Sequence, residues 1–170
     1  MTFRALLPFV LVVIASSAWL YRSRRRKLLP ATAILDKLYP GVSDDIERFT
    51  APYDSDLVSD DTEFWNASGG WKGMLQRRHN AVCFVQFCQG LDGCSDIERQ
   101  EIRRITTRAI LISFYSGCSL LEAVVRIFVK DIPHSCARDG AQIYWDIERR
   151  VTLLCSISRP DLLDQLHQIL

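Results

Sequence analysis

From Ser95 to Ile112 apolar residues return at helical spacing: Ile102, Ile105, Ala109 and Ile112 share one side of a 3.6-residue repeat, and Arg99, Arg103, Arg104 and Arg108 lie largely elsewhere. Ser95-Asp-Ile-Glu98 precedes that stripe as a capping box, in which serine hydroxyl and glutamate carboxylate reciprocally satisfy free amides of the first turn. A helix opening at Ser95 is the expectation. Its later part, from Ala109 to Tyr115, is apolar all round, as in a central core helix. Gly117 is expected to break it, with Ser119-Leu-Leu-Glu122 as a second capping box opening a helix that turns Leu121, Val124, Val125 and Phe128 inward. Reading residues 109–129 instead as a membrane span is costly, because Glu122 and Arg126 fall inside it together with Ser113, Ser116, Gly117 and Ser119.

The same period recurs on either side. Trp71, Leu75, Val82 and Val85, widened by Phe84, Phe87 and Cys88, predict a helix from about Gly70 to Gln89, started at Ser68-Gly-Gly and ended by Gly90. Ile143, Ile147, Val151 and Leu154 define another, with Tyr144 and Trp145 at its start, and Ser158-Arg-Pro-Asp161 is expected to cap a last one carrying Leu162, Leu163, Leu166 and Ile169. A short helix ahead of these has Ile34, Leu35, Leu38 and Tyr39 on one face and stops at Pro40-Gly41. No segment alternates apolar and polar residues over a strand's length, and no solenoid repeat is visible. Residues 64–170 therefore read as one all-α bundle of four or five helices, long enough for one core and too short for two domains.

The amino-terminal part follows a different rule. Ala5 to Tyr21 is uncharged and apolar; as a helix it spans roughly 26 Å, and Phe3 and a snorkelling Arg4 extend it toward the hydrocarbon thickness of a bilayer. Trp19 and Tyr21 fall at headgroup level, followed by a basic collar of Arg22, Arg24, Arg25, Arg26 and Lys27. A cleaved signal peptide, with Ser16-Ser17-Ala18 as its cleavage site, would carry its basic residues before the apolar run, whereas here their weight comes after it. The positive-inside rule then puts the long carboxy-terminal part in the cytoplasm. Residues 1–27 are thus expected to be a single transmembrane anchor with its collar, residues 28–63 a short helix and neck, and residues 64–170 a cytoplasmic bundle.

Charge sharpens this division. Residues 1–27 hold six of the 21 Lys and Arg and none of the 20 acids, so the remainder is net −5. Nine acids against Lys37 and Arg48 make residues 36–63 an acidic neck of −7, leaving a body of +2. That near-neutral body and a membrane tether argue against nucleic acid as a partner, despite Arg77, Arg78 and the four arginines after Ser95. The six cysteines lie mostly in apolar helical runs without a C-x-x-C pair, so they read as buried reduced thiols. Asn66-Ala67-Ser68 has the form of a glycosylation sequon, silent on the cytoplasmic side and taken here as helix-start chemistry.

Candidate chemistry is sparse. The stretch from Pro133 to Gly140 sets His134, Ser135, Cys136, Arg138 and Asp139 close together ahead of a helix, where His134 could act as base to a Cys136 thiol lowered by Arg138 and the helix terminus. The plainer reading has Ser135 or Asp139 as a cap, Arg138 solvated and Cys136 as filler. His79, His134 and His167 lack ligand spacing, and Ser68-Gly-Gly-Trp-Lys-Gly73 lacks the phosphate-loop spacing, its glycines suiting a turn or close backbone approach. No cofactor or metal is implied. Phe64, Trp65 and Trp71 are candidate partner contacts, or rings that staple the neck to the bundle. The expected function is a membrane-anchored helical interaction protein, an adaptor or small subunit of a membrane complex, with the lipid bilayer and a protein as its partners. The alternative is a membrane-tethered enzyme using residues 134–139.

Overall fold

The computed structural model of the chain describes residues 30–42, 64–66, 68–91, 95–126, 129 and 135–170; the expected anchor and collar, most of the acidic neck, Cys94 and His134 lie outside them. Within the described residues all regular structure is helical: α1 (Ala31–Leu35), α2 (Gly70–Gln89), α3 (Asp96–Arg126), α4 (Ser135–Ser158), a 3-10 turn (Pro160–Leu162) and α5 (Leu163–Ile169). The core is built where α2, α3 and α4 pack on one another, with α1 on α2 and α5, and α5 on α4. Tyr144, Phe84, Phe87, Ile105, Ile112 and Ile147 are its large buried side chains. Ile34 and Leu35 of α1 are buried in the same cluster, so the short helix assigned to the neck joins the bundle core.

α3 and α4 run antiparallel, as their cross-links show. Glu98 accepts from Ser158, Glu101 from Arg150 at 2.7 Å, and Glu122 from Ser135 at 3.1 Å. From the second pair toward the third runs a ladder on the half-exposed seam, Arg104–Glu101–Arg150–Asp146–Arg108. The Ser95 capping box forms as expected, with Glu98 accepting from the Ser95 amide at 2.5 Å and Ser95 Oγ accepting from the Glu98 amide at 3.3 Å.

Several expectations are corrected. Gly117 does not break α3, which runs unbroken from Asp96 to Arg126 with Ser113, Ser116, Gly117 and Ser119 all buried. Small residues there admit close neighbours, the Ser113 and Thr106 hydroxyls donate to carbonyls one turn back, and Ser119, expected to cap a new helix, is buried inside α3. α3 is also not enclosed on all sides: Ile110 and Leu111 are 39% and 40% exposed, and Val124 and Val125, expected inside, are 51% and 42% exposed.

In α2, whose bounds match the expected ones, Trp71 and Leu75 face out, while Gly73, Met74, Arg77, Asn80 and Ala81 face in. α4 begins at Ser135, so most of the expected 133–140 loop is helix; at that start Glu122 Oε1 of α3 accepts from the Ser135 hydroxyl and the Cys136 amide. Ser158 likewise does not cap the last helix. It belongs to α4, donates to Glu98, and is followed by an Arg159–Asp161 pair.

α3 is the one described helix long and apolar enough to cross a membrane, judged by length and composition. Its packed side and its ion pairs with α4 make it a bundle helix.

Candidate functional site

Two polar clusters lie in the bundle; the sequence marks nothing of the first and only Ser135 and Cys136 of the second. The first is central. Asn80 of α2 accepts from the Tyr39 amide and donates to the Tyr39 carbonyl, both at 2.9 Å, and also donates to the Tyr144 hydroxyl at 2.9 Å. One amide side chain thereby fastens the residues after α1 to the inner faces of α2 and α4. Arg77 sits one turn earlier, 3% exposed, and Glu148 is 6% exposed. Burial pushes the Arg77 guanidinium down to about 10, partly opposed by Tyr144 and Glu148. Tyr144 is held well above the usual phenol range by burial, with the Glu148 carboxylate adding to it. Among the described residues Arg77 Nη2 has no hydrogen-bond partner.

The second cluster joins α3 to α4. The Cys136 amide donates to Glu122 Oε1 at 3.2 Å, and Cys118 precedes Glu122 by one turn on the same face of α3. Burial first, and then Glu122, push the Cys136 thiol far up; burial raises Cys118 as well. These are protonated thiols, the opposite of an activated nucleophile. Ser135 is committed to Glu122, and Arg138 lies over the Phe64 ring at 5.6 Å. The two shallow grooves flanking α3 near Arg103 and Thr107 do not include Cys136. A cysteine does meet a histidine elsewhere: Cys83 Sγ is 3.5 Å from His79 Nε2, which also contacts the Lys37 carbonyl at 3.1 Å. Burial pushes that thiol up to about 11.

The aromatic candidates separate. Phe64 is fully buried, Trp65 is half-buried against Gly70 and edge-on to Trp71 at 5.6 Å, and Trp71 is 38% exposed. Phe64 thus acts as a staple holding the segment before α2 on the core. Trp19, Tyr21, Arg22, Arg24, Arg25, Arg26 and Lys27 fall outside the described residues. Among the described residues no group of three or more His, Cys, Asp or Glu is placed to hold a metal ion. No protein-family model, curated protein or solved structure matches the chain.

The raised thiols and phenol have a consequence for pH. Unfolded, Cys83 ionises near 9.0 and Tyr144 near 10.0; folded, Cys83 keeps its proton to about 11 and Tyr144 beyond its usual range. Their stabilising contribution is full below pH 9 and is lost as the pH rises through these folded values. Cys118, Cys136 and Cys155 act in the same direction. Arg77 acts oppositely, adding stability as the pH climbs from about 10 toward 12.5. Thermal unfolding is expected to hold a constant midpoint up to pH 8 and fall steeply from pH 9 to 11. Cys83 accounts for about 1–2 kcal/mol of the loss after discounting its partial solvation. A midpoint unchanged at pH 11, followed by circular dichroism, would show the thiols are already solvated.

Proposed function

We propose that the chain is a single-pass membrane protein that holds its helical bundle in the cytoplasm and works as an adaptor or small subunit of a membrane complex. The observation that carries this reading is the outer side of α3. Ile110, Leu111, Val124 and Val125 are 39–51% exposed on a helix whose other side is core. Contiguous exposed apolar surface bordered by polar residues is typical of interaction sites. Arg103, exposed at the polar end of that side, supplies a rim charge of the kind that sets orientation and approach rate. The uncharged run from Ala5 to Tyr21 and the collar after it support the anchor and its orientation.

The test uses the full chain in its native membrane, with a photo-crosslinking side chain at Val124 or, as a polar control, at Gln142, which is exposed on α4. A discrete protein adduct at position 124 and none at 142 is the expected result. Adducts to lipid alone, or equal labelling at both positions, would remove the adaptor reading. A reporter fused after Leu170 should at the same time score as cytoplasmic, and should lose that preference when Arg22 and Arg24 to Lys27 are made neutral.

A further inference from the structure

Trp71, Leu75 and His79 follow one another at four-residue spacing, which lines them up on one outer side of α2, and Lys72, seven residues before His79, shares it. Trp71 is 38% and Leu75 51% exposed. The stripe runs on into the residues after α1: the Tyr39 ring lies edge-on to the His79 ring at 5.1 Å, and His79 Nε2 meets the Lys37 carbonyl at 3.1 Å. Tyr39, Lys37 and Lys72 are exposed as well, with Asp36 offsetting one of the lysines. Such a stripe has the composition of a surface that rests at a bilayer interface. Indole and phenol rings favour the headgroup level, and lysine stems lie along apolar surface while their ammonium groups stay in water.

The point where the chain enters the bundle decides which surface lies nearest lipid. α1 begins at Ala31, four residues after Lys27 at the end of the basic collar, and four residues span at most about 14 Å. α1 is fixed to the bundle: Ile34, Leu35 and Leu38 are buried, Asn80 holds both backbone groups of Tyr39, and the Gly41 amide donates to the Ile169 carbonyl at 3.2 Å. α1 packs on α2 and α5, and α5 on α4, whereas α3 packs chiefly on α2 and α4, across the bundle from α1 and α5. We propose that the bundle lies on the bilayer holding its anchor through the Tyr39–Trp71–Leu75 stripe, with the outer side of α3 turned to the cytosol. This rests on the anchored reading above and narrows it, because the exposed Ile110, Leu111, Val124 and Val125 then face water, and their partner is a soluble protein rather than lipid or a transmembrane helix. Burial of the rings and Leu75, not charge, drives the docking, and a weak contact suffices because the tether makes it intramolecular.

Full-length protein is reconstituted into phosphatidylcholine vesicles containing a nitroxide-headgroup lipid, with a fluorescent side chain at position 72 on the stripe or at position 107, on the ridge of α3 between its two grooves. A helix layer is about 8–10 Å thick, so a short-range quencher separates the two positions, and quenching at 72 is expected to exceed that at 107 at least about five-fold. Tyr39→Ser with Leu75→Ser removes two apolar contacts without touching the Tyr39 backbone, and should lower the docking equilibrium read at 72 at least about ten-fold with an unchanged circular dichroism spectrum. If that variant does not fold, the comparison of 72 with 107 in the otherwise wild-type chain decides alone. Equal quenching at 72 and 107, stronger quenching at 107, or quenching at neither, which would leave the stripe to a protein partner, overturns the proposal, as does wild-type quenching in the folded double variant. In each of those cases a chain that stays with the vesicles through an alkaline wash keeps its anchor; a chain released by the wash overturns the anchored reading and this arrangement together.

Discussion

Replacing Arg77 with methionine is expected to cost about 3–5 kcal/mol of folding stability, and adding Glu148→Leu to that variant is expected to restore most of it. At neutral pH Arg77 is charged, since burial lowers it only to about 10. Glu148 is buried beside it and interacts with Tyr144. Removing the guanidinium takes the positive charge away from Glu148, whose carboxylate keeps its other partners, Tyr144 among them, in a medium that solvates charge poorly, and this loss is the dominant cost. Replacing both charges by apolar side chains of similar volume removes two desolvation penalties at once. The unpartnered Arg77 Nη2 makes the wild-type arrangement incompletely satisfied, so the double variant should match or exceed it. Urea unfolding of the four proteins of this cycle gives the coupling directly. A loss below about 1 kcal/mol for Arg77→Met alone would mean that Glu148 takes up a proton or reaches water when its neighbour is removed.

That buried pair also explains where sequence reasoning erred. Periodicity counts apolar residues and assigns polar ones to solvent, so it put Trp71 and Leu75 on the inner face of α2 and gave Arg77 and Asn80 no place there. The real inner face rotates toward those two polar residues, because Asn80 has the Tyr39 backbone and the Tyr144 hydroxyl to satisfy it and Arg77 has Glu148 nearby. Farther along α2 the same count succeeds, with Val82, Phe84, Val85, Phe87 and Cys88 buried.

Local chemistry was legible where its partners are local. The Ser95–Glu98 box formed because both members lie in one turn. The Ser119–Glu122 pattern has the same letters and did not form a start, because Ser119 lies inside a helix held by packing on two neighbours, and Glu122 caps α4 instead. The start of α4 was hidden for the same reason, since its cap comes from another helix. The approach of Ser135 and Cys136 to Glu122 has no sequence signature; it follows from the antiparallel packing of α3 and α4.

Gly73→Ala is the second large effect, expected to lower stability by about 3 kcal/mol or to prevent the first turn of α2 from docking. Gly69 and Gly70 take left-handed φ angles of 75° and 53°, folding the chain sharply back at the start of α2. The turn is then closed by the Gly73 amide donating to the Gly69 carbonyl at 3.0 Å, while Ser68 Oγ donates to the Trp65 carbonyl. This geometry presses the Ser68 carbonyl onto the bare Cα of Gly73, and any Cβ there would fall inside the oxygen's contact radius. The oxygen is backbone and the Cβ position is fixed by the backbone, so no rotamer change relieves the clash. Adjustment has to shift residues 64–70, which carry the buried Phe64 ring and the Trp65 ring packed on Gly70. Alanine at the neighbouring exposed Lys72 is the control and should leave stability within about 0.5 kcal/mol. Tryptophan fluorescence, measured with Trp19 and Trp145 replaced by phenylalanine in every variant, reports the outcome locally through Trp65 and Trp71, and circular dichroism reports it globally. If Gly73→Ala melts with the wild-type midpoint and spectrum, the glycine is dispensable and the close backbone approach at this turn is not required for the fold.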